Sequence, residues 1–312
     1  MKKAVVLAVH HLESPRAVKI TVDSFLRQGA VPVFVFDKLS PEVRRYMDTL
    51  RGHGVHLIPI GGFTWISTAF YGLGAARDAG FRHAVELGFD CVVSSDTHVL
   101  LLGDLNRLCA DALTYGAAQG LRLDSPFSMW PRVGPEARPW YGPVFSISLR
   151  NRVDVFDCRL KPWSYEPLMA FSSSALRRLA DLQEGRVILG RGFGAELPDL
   201  SMSLSRLGYD VACTPVAYVH RYSTGSEEFW RGRWDELQYR LWAESFGVYL
   251  AKHVPERYRE RSPYAGFEKY VAPWQLEIAK RFNEVARPTE EVYRRFIESR
   301  PRLGSPPALL ME

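Results

Sequence analysis

The first apolar run of the chain is Lys3-Ala4-Val5-Val6-Leu7-Ala8-Val9, and continuous small and branched side chains are typical of a strand buried on both faces. Residues 14–28 then show helical periodicity, and residues 31–36 form the next apolar run. A serine, a proline and an acid open a second predicted helix at Ser40-Pro41-Glu42, and a third strand is predicted over residues 55–59. This alternation predicts an α/β fold with a mainly parallel sheet and crossover helices.

The middle of the chain continues this pattern and then becomes irregular. Residues 70–87 and 105–115 are predicted to be helices. Five prolines and several aromatic residues interrupt residues 126–143, and a loop this long inside a compact domain is usually functional. Residues 144–149 and 153–157 are predicted to form paired strands. The other predicted elements are helices over residues 173–183 and 200–207 and a strand over residues 211–219.

The composition changes after about residue 225, where the sequence becomes helix-prone, aromatic and basic. We therefore predict two units, residues 1–225 and a helical C-terminal extension over residues 226–312. The predicted helices of the extension cover residues 227–252, 264–285 and 289–300.

The overall composition is that of an ordinary soluble domain, with 312 residues, 46% hydrophobic and 24% charged. A net charge of +5 is compatible with an anionic ligand, but a slightly arginine-rich surface is the better explanation of the charge alone. Apolar runs are too short for a transmembrane helix, and none of the four cysteines forms a Cys-x-x-Cys pair. We predict a cytoplasmic location and, in the absence of a recognition signature, no nucleic-acid partner.

The triplet Asp96-Thr97-His98 ends an apolar run, and His220 ends another. An acid and a histidine two residues apart on an extended strand point to the same face. One carboxylate and two imidazoles can hold a divalent ion and leave positions open for a substrate. The alternatives are a surface aspartate with a capping histidine, and a structural histidine at position 220.

A glycine-rich acidic segment precedes the second histidine and covers residues 192–201. Its glycines allow a close backbone approach. Glu196 and Asp199 lie at the start of a predicted helix, with Pro198 at an early helical position. Ordinary N-terminal capping explains Asp199 well, and it explains Glu196 less well because Glu196 lies in the glycine-rich approach.

The order of these motifs over residues 3–222 resembles the GT-A nucleotide-diphospho-sugar glycosyltransferases of the broad family-2-like group. The Asp-x-His form with a later histidine is similar to the polypeptide N-acetylgalactosaminyltransferases. The resemblance implies a Rossmann-like mixed sheet flanked by helices, and an enzyme of the hexosyltransferase type. The matching stretches are the two strands ending near His10 and Asp37, the Ala-Arg-Asp-x-Gly helix at residues 76–80, the Asp96-Thr97-His98 triplet, residues 194–201 and His220.

The resemblance also assigns roles to individual residues. It implies a metal held by Asp96, His98 and His220, and Mn²⁺ is favoured over Mg²⁺ because imidazole is softer than carboxylate. It implies that Glu196 and Asp199 are catalytic. The nucleotide-binding residues implied are His10, Asp37, Arg77, Asp78 and Asp96, where Asp78 replaces the asparagine of the family pattern. A divalent metal would stabilise the charge that grows on a nucleoside diphosphate as it leaves.

One position departs from the family pattern and leaves the stereochemistry open. Inverting relatives place an aspartate base directly after the glutamate, but Leu197 stands there and cannot accept a proton. Either Glu196 is the base, or the reaction retains configuration, or activity is lost. The Asp-x-His resemblance slightly favours retention.

The partners expected from the resemblance are a nucleotide-sugar donor, with UDP favoured over GDP, and a glycan, lipid-linked or small-molecule acceptor. Trp130, Trp140 and Tyr141 are candidate acceptor contacts because aromatic rings stack on sugar faces, although they are also compatible with core packing. One alternative is a catalytically weak nucleotide-sugar-binding protein. Another is a peripheral membrane or nucleic-acid-binding protein that acts through the tryptophans and arginines of its C-terminal helices. Docking of these helices on the catalytic domain explains the same residues better.

Overall fold

Most of the described strands belong to one mixed sheet. The computed structural model describes residues 1–10, 13–36, 39–60, 72–122, 128–130, 146–148, 160–161, 164, 167–220, 236–260, 262 and 264–299. The strands are β1 (Lys3–Val9), β2 (Ala30–Phe36), β3 (His56–Pro59), β4 (Cys91–Ser95), β5 (Val99–Leu101), β6 (Gly116–Arg122), β7 (Ser128–Trp130), β8 (Ser146–Ser148), β9 (Leu160–Lys161), β10 (Met169–Ser172) and β11 (Asp210–His220).

The helices alternate with the strands in the first half of the chain and dominate its end. They are α1 (Pro15–Leu26), α2 (Pro41–Thr49), α3 (Leu73–Glu86), α4 (Leu105–Tyr115), α5 (Ser173–Leu182), α6 (Glu196–Arg206), α7 (Glu236–His253), α8 (Glu256–Arg259), α9 (Pro273–Val285) and α10 (Thr289–Ser299). The cap predicted at Ser40 is confirmed, since its side chain accepts a hydrogen bond from the Val43 backbone N–H in the first turn of α2, and Ser14 caps α1 in the same way.

Nine of the described strands form one sheet in the order β3-β2-β1-β4-β10-β6-β11-β5, with β9 also paired to β11. The first four are parallel, as the repeated strand–helix pattern predicted. Strand β10 runs antiparallel between β4 and β6, whereas β6 and β11 are parallel. Strands β5 and β9 are antiparallel to β11. The α/β class is therefore confirmed, with a more mixed sheet than alternation alone implies.

Both faces of the sheet are covered, which explains the continuous apolar runs. In β1, Val5, Leu7 and Val9 belong to one buried cluster, which includes apolar residues of α1, α2 and α4. Ala4 and Val6 belong to the opposite cluster, with residues of α3, α5 and α6. Each fully buried valine or leucine contributes about 1.5–3 kcal/mol relative to exposure. A polar residue at any of these positions would therefore face a core.

The C-terminal helices pack on the rest of the chain through a polar network as well as apolar contacts. Arg206, at the end of α6, donates to the carbonyl oxygen of Arg287 at 2.6 Å and to Asn283 Oδ1 at 2.8 Å. The partly buried Trp242 of α7 belongs to an aromatic cluster with Phe246 and Phe267. These contacts assign packing roles to the helices, and their predicted membrane contact stays a prediction. Within the described residues, no helix combines the length and apolar content that a bilayer crossing requires.

The structure differs from the sequence-based elements at several places, which include the unpredicted short strands β5, β7 and β9. Helix α6 begins at Glu196 rather than at residue 200, because Pro198 is accommodated in its first turn. Strand β8 pairs with β7, whereas the partner predicted for it, residues 153–157, lies outside the described residues. Strands β6 and β10 were not predicted. Alanine and glycine in β6 give no alternating pattern, and its strand conformation follows from its place between β10 and β11.

Candidate metal centre

The candidate site lies where two neighbouring parallel strands end. Residue Leu7 of β1 pairs with Ser95 of β4, so His10 and Asp96 follow adjacent strand ends. The crevice beyond the carboxyl ends of parallel strands is the usual ligand site of open α/β sheets. The antiparallel pairing of His220 with Val99 brings the end of β11 to the same edge and sets His220 beside His98.

The three residues predicted as metal ligands come together in the structure. One ligand atom from each of Asp96, His98 and His220 lies within 4.8 Å of the others. His220 Nε2 is 3.0 Å from Asp96 Oδ2, and the two imidazole centroids are 4.5 Å apart. Two ligands at right angles around an ion with bonds of about 2.1 Å would be about 3.0 Å apart. The donor set and its spacing therefore fit a divalent ion.

The guanidinium of Arg77 joins this cluster to the acidic segment. Its Nη2 atom donates to Asp96 Oδ1 at 2.8 Å, and its Nη1 atom donates to Glu196 Oε1. Arg77 is only 4% exposed, so its charge is balanced by two carboxylates rather than by water. Burial acts to raise the pKa of Asp96, but the hydrogen bond from His220 and the charge of Arg77 outweigh it and hold that pKa below its usual range.

Glu196 is the first residue of α6 and has a defined partner for each carboxylate oxygen. Besides the bond from Arg77, its Oε2 atom accepts a hydrogen bond from the Gly194 backbone N–H. Burial raises the pKa of Glu196 despite the opposing charge of Arg77. The next residue, Leu197, packs in the core at 2% exposure, so α6 presents a carboxylate and not this side chain to the cluster.

Glu13 is a site residue that the sequence analysis missed. Its Oε1 atom lies 3.0 Å from His10 Nε2, and its Oε2 atom lies 3.9 Å from His98 Nδ1. Burial acts to raise the pKa of Glu13, but the neighbouring imidazoles of His10 and His98 outweigh it and lower that pKa to about 2. An acid shortly after a histidine at the end of β1 is the signal that points to it. The structure thus connects the predicted residue His10 to the candidate metal centre through Glu13.

Two predicted site residues have structural contacts instead of contacts with this cluster. Asp78 Oδ1 accepts the backbone N–H groups of Val187 and Ile188 at 2.7 and 3.0 Å. Asp199 lies about 4.5 Å further along the axis of α6 than Glu196. Its Oδ1 atom is 2.8 Å from both Lys252 Nζ and His253 Nε2 of α7. The nucleotide role of Asp78 and the catalytic role of Asp199 stay predictions.

The start of the glycine-rich segment packs closely against the backbone of two helices, α3 and α7. Gly74 and Ala75, in the first turn of α3, donate backbone N–H bonds to the carbonyls of Gly192 and Arg191. A Cβ atom on Gly192 would lie 2.1 Å from the Leu241 carbonyl oxygen of α7. The segment is thereby fixed between α3, which carries Arg77, and the C-terminal helix α7.

Four further predicted site residues have side chains that the structure does not describe. Asp37, Trp140 and Tyr141 lie outside the described residues. Trp130 lies in the short strand β7, of which only the backbone is described. The nucleobase contact of Asp37 and the acceptor contacts of the three aromatic residues remain predictions.

Comparison with known proteins gives one weak sequence relative and several structural neighbours. No known protein-family profile matches the chain. An uncharacterised 38.7 kDa protein of Thermoproteus tenax virus 1 (strain KRA1) is 24% identical over 194 residues, which are 59% of this chain and 57% of the viral protein. The match therefore spans little more than half the length of that relative.

The structural neighbours include three sugar-transferring or nucleotide-bound proteins. The mannosyltransferase PcManGT from Pyrobaculum calidifontis, in complex with GDP-Man and Mn²⁺, has a TM-score of 0.45 and 17% identity over 90% of this chain and 73% of its own. Residues 1–349 of S. aureus TarS, in complex with UDP, give 0.44 and 13% over 96% and 91%. Glucosyl-3-phosphoglycerate synthase from Mycobacterium tuberculosis, with Mn²⁺ and UDP, gives 0.44 and 15% over 82% and 81%.

Proposed function

We propose that the chain is a metal-dependent glycosyltransferase of the GT-A type that uses a nucleoside-diphosphate sugar. One observation carries the proposal: Asp96, His98 and His220 converge at the carboxyl edge of the sheet, and Arg77 connects Asp96 to Glu196. The cluster combines a divalent-ion donor set with a buried cation. That combination suits a diphosphate, whose charge increases as the sugar–phosphate bond breaks.

The residues around the proposed metal have distinct tasks. A divalent ion held by Asp96, His98 and His220 would neutralise the diphosphate and so make it a better leaving group. Two nitrogen ligands favour Mn²⁺ over Mg²⁺. Arg77 holds the Asp96 carboxylate in one orientation through Oδ1, while Oδ2 faces His220. Asp96 is still a quarter exposed, which leaves one side of the cluster open to a ligand.

Glu196 is the carboxylate that we assign to the reacting sugar or the acceptor. Burial raises the pKa of Glu196, and a raised pKa suits a carboxyl group that exchanges protons near neutral pH. Leu197 is part of the core and offers no alternative base. The outcome that we propose is transfer with retention of configuration, and the donor nucleotide that we favour is UDP. The proposed acceptor is a glycan, a lipid-linked molecule or a small molecule that contacts Trp130, Trp140 or Tyr141.

A panel of UDP- and GDP-sugars tests the proposal. Binding is measured by isothermal titration calorimetry with and without Mn²⁺, and slow donor hydrolysis is followed by release of the nucleotide. At least one nucleotide sugar should bind in a Mn²⁺-dependent manner. Failure of every nucleotide sugar to bind would contradict the proposal, and binding without turnover in any acceptor screen would favour a catalytically weak binding protein.

The variant Asp96→Asn makes the same experiment specific to the proposed site. Loss of one metal ligand should weaken Mn²⁺ binding by more than about 100-fold, because even outer-shell substitutions cost about 10–100-fold. Glu42→Gln is the matched control, since Glu42 is an exposed carboxylate paired only with Arg45 on α2. Equal Mn²⁺ affinity in Asp96→Asn and Glu42→Gln would remove Asp96 from the metal site.

A further inference from the structure

Glu13 is a buried carboxylate for which the proposed reaction has no direct use. It precedes Ser14, the cap of α1, and is 5% exposed. A carboxylate this deeply buried is costly unless charged or hydrogen-bonding groups surround it. The groups facing it are the imidazoles of His10, at 3.0 Å, and His98, at 3.9 Å. One of these two histidines belongs to the proposed metal centre.

We propose that Glu13 is a positioning residue that orients His98 for the divalent ion. Oε2 of Glu13 faces His98 Nδ1 and has no hydrogen-bond partner within the described residues. A small rotation of either side chain turns the 3.9 Å separation into a hydrogen bond. With its proton on Nδ1, His98 carries its lone pair on Nε2, which can then face the metal. This inference rests on the metal centre proposed above.

His10 supports the same arrangement from the other side of Glu13. Its Nε2 atom lies 3.0 Å from Glu13 Oε1, and the two side chains are both nearly buried. The carboxylate is therefore held at one oxygen while its second oxygen faces the ligand histidine. Metal-binding histidines commonly donate their second ring N–H to a carboxylate that fixes the tautomer and the ring orientation.

Helix α1, which follows Glu13, also fixes the backbone of the turn that carries His98. Thr21 of α1 donates its hydroxyl hydrogen to the Thr97 carbonyl oxygen at 2.9 Å. His98 follows Thr97 in the turn between β4 and β5, and a turn does not by itself select one staggered rotamer of the side chain. Helix α1 thus holds the main chain through Thr21 and, as we infer, Glu13 before its cap holds the side chain of His98.

The test compares Mn²⁺ affinities of the full chain by calorimetry for wild type, Glu13→Gln and the control Glu42→Gln. We expect Glu13→Gln to bind Mn²⁺ about 10–100-fold more weakly and Glu42→Gln to match wild type. The visible absorption spectrum of the Co²⁺-loaded protein gives a second readout, because it reports ligand geometry. Unchanged affinity and an unchanged Co²⁺ spectrum in Glu13→Gln would overturn the inference.

A double-mutant cycle separates positioning from a general structural role. If Glu13 acts through His98, Glu13→Gln should have no further effect on Mn²⁺ affinity in a His98→Ala background. If the two substitutions lower Mn²⁺ affinity additively, Glu13 does not act through His98 and its role is a general structural one. If Glu13→Gln does not fold, Glu13→Asp decides the question in the same assay, because its shorter side chain keeps the charge but withdraws it from His98.

The outcomes for the inference and for the proposed function are distinguishable. If wild type binds no Mn²⁺ and no nucleotide sugar, the metal centre itself is wrong. If wild type binds Mn²⁺ and Glu13→Gln binds it equally well, only the positioning role of Glu13 is wrong.

Discussion

At the residue scale, the site is organised around a single buried cation. Arg77 contacts one carboxylate of the proposed metal centre and one carboxylate of α6, so it sets the separation of Asp96 and Glu196. Its planar guanidinium presents two donor nitrogens at once, a geometry that a lysine ammonium cannot reproduce. The orientation of both acids therefore depends on one side chain.

Replacing Arg77 should destabilise the protein strongly. Arg77→Met removes the cation from between two carboxylates, one of which is almost completely buried. Breaking a buried ion pair from one side costs about 3–5 kcal/mol because the remaining charge has no partner. Urea unfolding of Arg77→Met measures this cost, and Arg45→Met, at an exposed pair on α2, is the control. A loss below about 1 kcal/mol would mean that solvent reaches Glu196 more freely than the contacts indicate.

At the element scale, the segment that precedes α6 is fixed by backbone contacts with helices on both sides. Helix α3 donates to its carbonyls, and Arg191 forms several hydrogen bonds with the buried Glu244 of α7. Gln275 of α9 donates to Glu244 Oε1 and to the Leu189 carbonyl oxygen, both at 2.8 Å. The C-terminal helices thereby hold the segment that leads to Glu196.

A substitution at Gly74 tests this close packing. Alanine in place of glycine usually stabilises a helix by about 1 kcal/mol. A Cβ atom on Gly74 would, however, lie 2.1 Å from the Gly190 carbonyl oxygen. Gly74→Ala should therefore lower the free energy of unfolding by about 1–3 kcal/mol or more. Gly52→Ala, where no atom lies within 4 Å of the added Cβ, is the control and should be close to neutral. A stabilised Gly74→Ala variant would show that the two segments separate easily.

The contact between α6 and α7 should make stability depend on pH. Burial lowers the pKa of His253 to about 3, against an ordinary value near 6.5, although Asp199 opposes the shift. Between these values the unfolded chain binds the additional proton, so stability falls as the pH decreases. The folded state should lose about 1 kcal/mol from this group between pH 7.5 and 5.5.

The variant His253→Gln isolates this effect. Glutamine keeps a donor for Asp199 but cannot take up a proton. Urea unfolding at several pH values should give a flatter profile for His253→Gln than for wild type below pH 6.5. Parallel profiles in this range would show that His253 is protonated in the folded chain.

At the scale of the whole molecule, the predicted division near residue 225 separates regions that are tightly joined. Lys252 of α7 is buried, and its Nζ atom contacts Asp199, Ser203 and Gln183 at 2.7–2.8 Å. Phe282 of α9 belongs to the same core cluster as α3, α5 and α6. The predicted helical extension completes a core, and its helices cover a face of the first region.

Deletion of the C-terminal helices should therefore prevent folding of the remainder. A chain ending at residue 225 leaves Asp199 and Arg206 without Lys252, His253 and Asn283 and exposes the apolar side of α6. We expect loss of the cooperative thermal transition and increased binding of a hydrophobic dye. A truncated chain that melts cooperatively near the wild-type temperature would support the two-unit division and contradict this expectation.

Local signals predicted the parallel half of the sheet and pointed to the strand-end residues of the candidate metal centre, but not to the buried polar partners. Val5 and Leu7 belong to an apolar run that indicates a strand buried on both faces. Asp96 and His220 lie at strand ends, where open α/β sheets usually bind their ligands. Lys252 and Asp199 lie in different helices, and nothing in either local sequence indicates their pairing. Such pairs are fixed by tertiary packing, which periodicity does not describe.

The position of β10 has a consequence for synthesis on the ribosome. This strand separates β4 from β6 and is the only element that joins the two halves of the sheet through hydrogen bonds within the described residues. The three parallel strands before residue 60 and β4 can associate early, whereas β6 waits for β10, which emerges about fifty residues later, and then for β11. His220 is supplied later still, so the three side chains of the candidate metal centre cannot come together until nearly all of the sheet has been translated.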